Sequence, residues 1–246
     1  MKNKDKWKPT KFIYKRNKLF ISKDPKEVYI GSRLVGNIIA SFHSEYLRKH
    51  VTGKLLDLGC GKVTLYELYK DHINENVCID WSGSIHKNEY LDYEHDINKR
   101  LPLDNNEFDT IILSDVLEHI ENPTQLWHEM NRVLKNGGKL ILNVPFFYWL
   151  HETPFDYYRY TEFALRKFAT DTGFKVILLK PTGGIIEILF DLLGKAIMFV
   201  PFLGKKLSIV IQSFGIFFSR TRFGRKISSK TGKNFPLGYF LVAEKL

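Results

Sequence analysis

Cysteine is nearly absent from this chain. Two thiols in 246 residues, Cys60 and Cys78, cannot build a disulfide framework, which points to a reducing compartment. No apolar stretch follows the lysines at the N-terminus, so a secretory signal is not expected and a cytoplasmic location is. Nor is there a run of about 20 nearly uncharged apolar residues, the minimum for a membrane-spanning helix. Acidic residues are missing altogether from 203–235, which hold eight Lys/Arg. Residues 1–26 are almost as one-sided, with ten Lys/Arg against Asp5 and Asp24. Each segment therefore carries +8, and against a total of +10 the rest of the chain must carry −6. A mildly acidic body flanked by two basic segments suits an anionic partner: membrane headgroups, nucleic acid or a phosphorylated substrate.

What is present is most concentrated at 53–62, Gly-Lys-Leu-Leu-Asp-Leu-Gly-Cys-Gly-Lys. Leu55, Leu56 and Leu58 predict a buried strand, and Gly59 and Gly61 a tight turn. Leu65, Tyr66, Leu68 and Tyr69 then carry helical spacing. Strand, glycine turn and helix form the opening of a nucleotide-binding βαβ unit, in which glycines let backbone approach a ligand at a helix N-terminus. A second short strand, Val77 to Ile79, ends in Asp80, and an acid about 20 residues after the glycines is placed to hold a ribose diol. A dinucleotide site also needs G-x-G-x-x-G/A, but Thr64 stands at the sixth position. There is no G-K-[ST], so a P-loop is unsupported. A ligand with an adenosine-like ribose and no pyrophosphate remains.

Along the chain, 1–28 reads as an extended, basic and aromatic arm, and 29–50 as a helix with Leu34, Ile38, Phe42 and Tyr46 on one face. Strands at 54–58, 77–80, about 90–93, 108–114, 138–144 and 174–180 alternate with helices at 62–70, 122–135 and 161–171. Such alternation predicts an α/β fold with a parallel, doubly wound sheet. Asn136-Gly137-Gly138 is expected to end the helix before the fifth strand. Some 55 residues then separate Lys180-Pro181 from the last strand at 238–245, far more than a loop requires. Within this 183–235 insert, 185–202 is apolar except for Glu187, Asp191 and Lys195, a stripe with four-residue spacing on an otherwise greasy helix. Leu207 to Phe218 is a second apolar piece, followed by Arg220, Arg222, Arg225 and Lys226. A pair of helices lying at an anionic membrane surface fits this pattern; packing on the domain or on a second copy is the alternative.

Four motifs in order, LLDLGCGK (55–62), CID (78–80), HDINKRLPLDNNEFDTIILSDVLEHI (95–120) and LKNGGKLILNVP (134–145), resemble a class I S-adenosylmethionine (SAM) dependent methyltransferase. The resemblance spans about 53–180 and resumes at 238–245, making 29–246 one methyltransferase domain that includes the insert. It implies a seven-stranded, mostly parallel Rossmann-like sheet, with SAM as cofactor. It departs from the usual D-x-G-x-G-x-G at Val63, which holds the third glycine's place. On this resemblance Asp57, Gly59 and Gly61 face the methionyl part, Asp80 the ribose, and Asp96 and Ile97 the adenine edge. Ser114 and Asp115 border the methyl donor. Trp81 either lies against the adenine or packs as a surface tryptophan.

Two histidines compete for the acceptor side. His119, in Asp-Val-Leu-Glu-His, sits beside the crevice where ligands bind and is expected to position rather than act as a base. His151 opens His-Glu-Thr-Pro-Phe-Asp-Tyr-Tyr-Arg-Tyr-Thr, a crowded polar loop resembling segments in bacterial methyltransferases associated with cell-surface polysaccharides. His151 is the expected base. Arg159 is expected to grip an anionic group, or else to pair locally with Asp156, with Thr161 capping the next helix. His43, His50, His72, His86, His95 and His128 show no metal-ligand spacing, and no metal is expected. The expected function is O-methylation of a glycan or lipid-linked acceptor at the inner membrane face. RNA methylation, a soluble small-metabolite acceptor and an inactive scaffold are the rivals. The basic arm favours RNA, while the apolar insert disfavours nucleic acid as a partner.

Overall fold

The computed structural model describes residues 1–84 and 89–246; His86 lies outside them. The chain opens with an antiparallel hairpin, β1 (Phe12–Lys15) and β2 (Lys18–Ile21). Arg16 and Asn17 both take positive φ at its tip, the two-residue turn that matches strand twist. Helix α1 (Arg33–His50) follows, then β3 (Lys54–Leu58), α2 (Tyr66–Tyr69), β4 (Glu75–Asp80), β5 (Tyr93–Glu94), β6 (Phe108–Ser114) and α3 (Pro123–Val133). The second half runs β7 (Leu134–Pro145), α4 (Glu162–Asp171), β8 (Phe174–Thr182), α5 (Ile185–Ala196), α6 (Gly204–Arg220), α7 (Arg222–Thr231) and β9 (Gly238–Lys245). Seven strands form one sheet in the order β5-β4-β3-β6-β7-β9-β8. Only β9 runs antiparallel to its neighbours, slotted between β7 and β8. The expected doubly wound, mostly parallel α/β sheet is therefore present.

Alternating side chains of the central strands feed two cores. Leu56, Ile79, Ile111 and Leu140 meet Leu126, Trp127 and Met130 of α3 on one face. Leu55, Cys78, Ile112 and Ile141 meet Ala40 and Leu47 of α1 on the other. Each fully buried aliphatic side chain contributes about 1.5–3 kcal/mol, so the strand runs rather than loop chemistry fix the sheet. Asn122 caps α3 by accepting from the Gln125 backbone N–H, with Pro123 in the first turn. Thr161 caps α4 in the same manner, as expected.

Several local expectations need correction. The arm is no loose extension: Phe12, Leu19, Ile21 and Val28 are buried in the α1-side core. The glycine-turn helix is cut to 66–69, because Val63 sits at φ 52 and delays regular winding. Asn136-Gly137-Gly138 is a bulge in β7 against β6, the helix having ended at Val133. The insert contains three helices, not two.

Its orientation is inside out. Glu187, Asp191 and Lys195 of α5, and Ser208 and Gln212 of α6, are buried. Asp191 pairs with Lys195 at 2.5 Å. Gln212 accepts from the Leu34 backbone N–H and donates to the Gly31 carbonyl, clamping the start of α1. Glu187 accepts from the Gly184 N–H and the Ser228 hydroxyl. The outward face carries Leu189, Leu192, Leu193, Phe199, Phe202, Val210, Phe214 and Phe217, all more than half exposed.

Candidate active site

The turn after β3 is held from below by β4. Gly59 and Cys60 donate backbone N–H groups to the Ile79 carbonyl, and Gly61 N–H donates to Asp80 Oδ2 at 2.9 Å. Asp80 Oδ1 accepts from the Trp81 N–H. Gly59 has φ +71, and a Cβ there would lie 2.6 Å from the Val116 side chain, so both backbone angle and space require glycine. Val63 adopts positive φ with its side chain fully buried: the backbone keeps a glycine-like conformation around a valine. The arm completes this loop. Trp7 Nε1 donates to the Val63 carbonyl, and Lys62 pairs with Glu27 at 3.0 Å.

A cavity of about 380 Å³ opens above the turn. Gly59, Gly61, Asp80, Trp81, Asp96, Ile97, Ser114, Asp115 and His119 all line it. Trp81 stands edge-on to Phe155 at 5.1 Å between ring centres. Asp57 is not on this wall, correcting the expectation that it faces the ligand. It is buried beneath the turn and accepts from the Tyr69 hydroxyl at 3.0 Å. Burial pushes its carboxyl up to about 7, against the pull of Tyr69 and with help from Asp80. Asp57 thus ties the end of β3 to α2 through Tyr69.

A second cavity of about 330 Å³ adjoins the first, the two sharing Lys11, Glu27, Asp115 and Glu152. Its walls include Ile21, Val28 and Ile39 from the arm and α1, and Tyr148, Trp149 and His151 from the loop after β7. Tyr148 shares a hydrogen bond with Ser32 at 2.7 Å and lies 3.8 Å below the Lys195 ammonium, which ties this wall to the insert. The 151–161 loop is stapled to the 117–121 turn. Tyr157 and Tyr158 donate backbone N–H groups to the Glu118 carbonyl, and Tyr160 donates its hydroxyl to the Leu117 carbonyl.

His119 and His151 meet edge to face at 4.8 Å between ring centres, and the fully buried Glu118 places Oε1 3.8 and 3.7 Å from their Nε2 atoms. Burial raises the Glu118 carboxyl; burial lowers His151, but Glu118, Asp156 and Glu152 together outweigh it and leave the imidazole above its ordinary value. Asp156 accepts from the His151 backbone N–H and forms a two-pronged pair with Arg159 at 2.5 and 2.7 Å. Burial opposes ionisation of Asp156, yet Arg159 and His151 hold its carboxyl down at about 2. Arg159 also donates to the Trp149 carbonyl. Its terminal nitrogens are engaged by the loop itself, so the local pairing, not a grip on an external anion, is what the structure shows.

Sequence reasoning missed Glu118, which its neighbour His119 flagged only by adjacency. It also missed Lys11 and Glu27, for which a basic arm gave no positional signal.

Residues 56–142 match the model of the methyltransferase domain family. The similarity runs from within β3 to within β7 and leaves the arm and the insert outside it. An uncharacterized protein of Methanocaldococcus jannaschii is 32% identical over 146 residues, which cover 57% of this chain and 58% of that one. The chain thus spans little more than half the length of this curated relative. A SAM-dependent methyltransferase structure from Archaeoglobus fulgidus superposes with TM-score 0.57 at 16% identity, covering 87% of this chain and 97% of the other. A [4+2]-cyclase, SpnF, superposes with TM-score 0.52 at 15% identity, covering 84% and 83%. Likeness at that identity shows the fold alone, and one sheet accommodating a cyclase means the chemistry must be read from the site.

The cofactor of a methyltransferase domain is SAM, and the first cavity fits it. Asp80 ends β4 with its carboxylate at the wall; such a group has about four acceptor positions, so holding Gly61 and Trp81 is compatible with binding a diol. Asp96, Ile97 and Ser114 line the first cavity, and Asp115 lines both.

Proposed function

We propose that the protein methylates a hydroxyl oxygen of a glycan or lipid-linked precursor while resting on the cytoplasmic face of a membrane. SAM supplies a methyl carbon activated by a sulfonium, open to in-line displacement by the acceptor oxygen. The residues need only align the acceptor, exclude water and deal with its proton, and alignment alone can be worth several kcal/mol. Gly59, Gly61, Asp80, Trp81, Asp96, Ile97, Ser114 and Asp115 hold the cofactor, with Asp57 tying the end of β3 to α2. The acceptor enters the second cavity and meets His151, which carries the acceptor side of the chemistry. His119 positions it, and the Asp156–Arg159 pair fixes the loop.

One observation carries the membrane and lipid part of this reading. The insert, whose Lys195 covers the Tyr148–Trp149 wall, turns Glu187, Asp191 and Lys195 inward and exposes Phe199, Phe202, Phe214 and Phe217 together with Lys205, Lys206, Arg222, Arg225 and Lys226. Aliphatic and aromatic groups rimmed by cations suit an anionic lipid surface. Among the described residues no helix is long and apolar enough to cross a membrane, so contact would be at the surface. Phe12 of the arm is buried and Trp7 is tied to the Val63 carbonyl, which leaves fewer arm aromatics for stacking bases and weakens the RNA alternative.

Flotation with vesicles containing phosphatidylglycerol at low salt tests the surface. Recovery with vesicles supports it, and a protein that stays in the aqueous fraction removes it. His151→Ala separates the cavities: SAM affinity should persist while turnover is lost. Loss of SAM binding would instead place His151 in the cofactor site.

A further inference from the structure

The Glu118–His119–His151 cluster has a feature that acid–base chemistry leaves unexplained. Glu118 is fully buried, and neither carboxylate oxygen has a hydrogen-bond partner among the described residues. His119 places Nδ1 2.8 Å from the Phe155 carbonyl, so Nδ1 carries the proton and donates it there. That tautomer leaves Nε2 as a bare lone pair, also buried without a partner, 3.8 Å from Glu118 Oε1. His151 Nε2 lies 3.7 Å from the same oxygen, and its Nδ1 lies 3.2 Å from Asp156 Oδ2. Two buried carboxylate oxygens and a bare imidazole nitrogen thus converge with no hydrogen bond closed among them, an arrangement that costs free energy unless a proton on His151 or a cation neutralises it.

The geometry points to a divalent cation site formed by Glu118, His119 and His151 on the wall between the two cavities. First-row ions bind nitrogen and oxygen at about 2.0–2.2 Å, which places ligand atoms about 3–4 Å apart. The three ligand atoms lie within 4.8 Å of one another, so closing onto an ion needs a contraction of about 1 Å. Two imidazoles and one carboxylate favour a first-row transition ion such as Mn²⁺ or Zn²⁺ over Mg²⁺ or Ca²⁺, which prefer all-oxygen sets. The outer contacts match as well. The Phe155 carbonyl orients His119, and Asp156, itself held by Arg159, stands behind His151 as such carboxylates stand behind metal-ligating histidines.

The site deepens the proposed hydroxyl chemistry and rests on it only for what the ion does. An acceptor hydroxyl reaching the cation from the second cavity has its pKa lowered and loses its proton to solvent. Its oxygen then forms the new bond to the methyl carbon as the carbon–sulfur bond breaks, leaving a neutral thioether. In this arrangement His151 holds the cation and does not itself take the proton.

The full chain, stripped with chelator and without SAM, should be titrated with Mn²⁺ followed by electron paramagnetic resonance, and with Zn²⁺ by calorimetry. We expect a single ion per chain for at least one metal. Glu118→Gln, His119→Asn and His151→Asn should each abolish binding, and Asp156→Asn should weaken it about ten- to a hundredfold. His128→Asn, on the exposed side of α3, should leave it unchanged. Circular dichroism and retained SAM binding identify variants that fold. No binding of either ion, or binding that survives the three ligand variants, overturns the site. If His151→Ala still loses turnover in that case, a shared proton rather than an ion neutralises Glu118, and the proposed hydroxyl chemistry stands without the metal.

Discussion

Replacing Lys195 by methionine tests whether the insert packs with its polar stripe inward. The Lys195 and Asp191 side chains are 5% and 2% exposed, and the ammonium sits over the Tyr148 and Trp149 rings. Burial drives the Lys195 amine down and the Asp191 carboxyl up, so both shifts oppose the charged pair and only mutual attraction sustains it. Removing one partner strands a buried charge at a cost of about 3–5 kcal/mol, a large part of the roughly 5–15 kcal/mol that stabilises a domain. Lys195→Met should therefore lower the urea midpoint sharply with little change in slope. Asp191→Leu combined with Lys195→Met should recover most of the loss or exceed the parent, because it leaves no orphan charge. A single variant within about 0.5 kcal/mol of the parent, the usual cost at an exposed position, would refute the inward orientation and the outward apolar face with it.

Asp80→Asn should weaken SAM binding by about 1.5–3 kcal/mol, the value of a hydrogen bond to a charged group, in a calorimetric titration; unchanged affinity would move the ribose elsewhere. Phe199→Ser with Phe202→Ser should abolish vesicle binding while shifting stability by less than about 0.5 kcal/mol, since these side chains are 81% and 101% exposed. His43 is fully buried, and burial, with Lys11 adding to it, lowers its pKa to about 3. Its unfolded-state pKa is near 6.5, so its contribution is complete above that and is lost as pH falls toward 3. Two pH units below 6.5 correspond to about 2.7 kcal/mol. His43→Gln should flatten the fall in stability between pH 6.5 and 4.5, measured by urea unfolding at each pH; an unchanged slope would place the imidazole in solvent.

The sheet was legible because its strands announce themselves: Leu55 to Leu58, Val77 to Asp80 and Phe108 to Ser114 are apolar runs ending in turn or polar residues. Gly59, Gly61 and Asp80 were legible for a different reason, since backbone approach and a strand-end acid leave little freedom in residue type. Asp57 misled because a buried carboxylate needs a partner in any case, and Tyr69, twelve residues on, satisfies it. The stripe of Glu187, Asp191 and Lys195 gave the helix but not its facing. Periodicity defines two faces and is silent about which one meets the protein; Gln212 and Ser208, from a second helix, decide it. Glu118 escaped notice because its importance lies in what surrounds it, and His151 reaches it only across the 151–161 loop.

A membrane-associated hydroxyl acceptor is tested with radiolabelled SAM. The protein should be incubated with labelled SAM and a cell lysate, and the organic-extractable, small aqueous and RNA fractions separated. Label concentrated in the organic fraction is the predicted result. Label confined to the aqueous pool or to RNA would contradict the account and assign the outward phenylalanines to assembly.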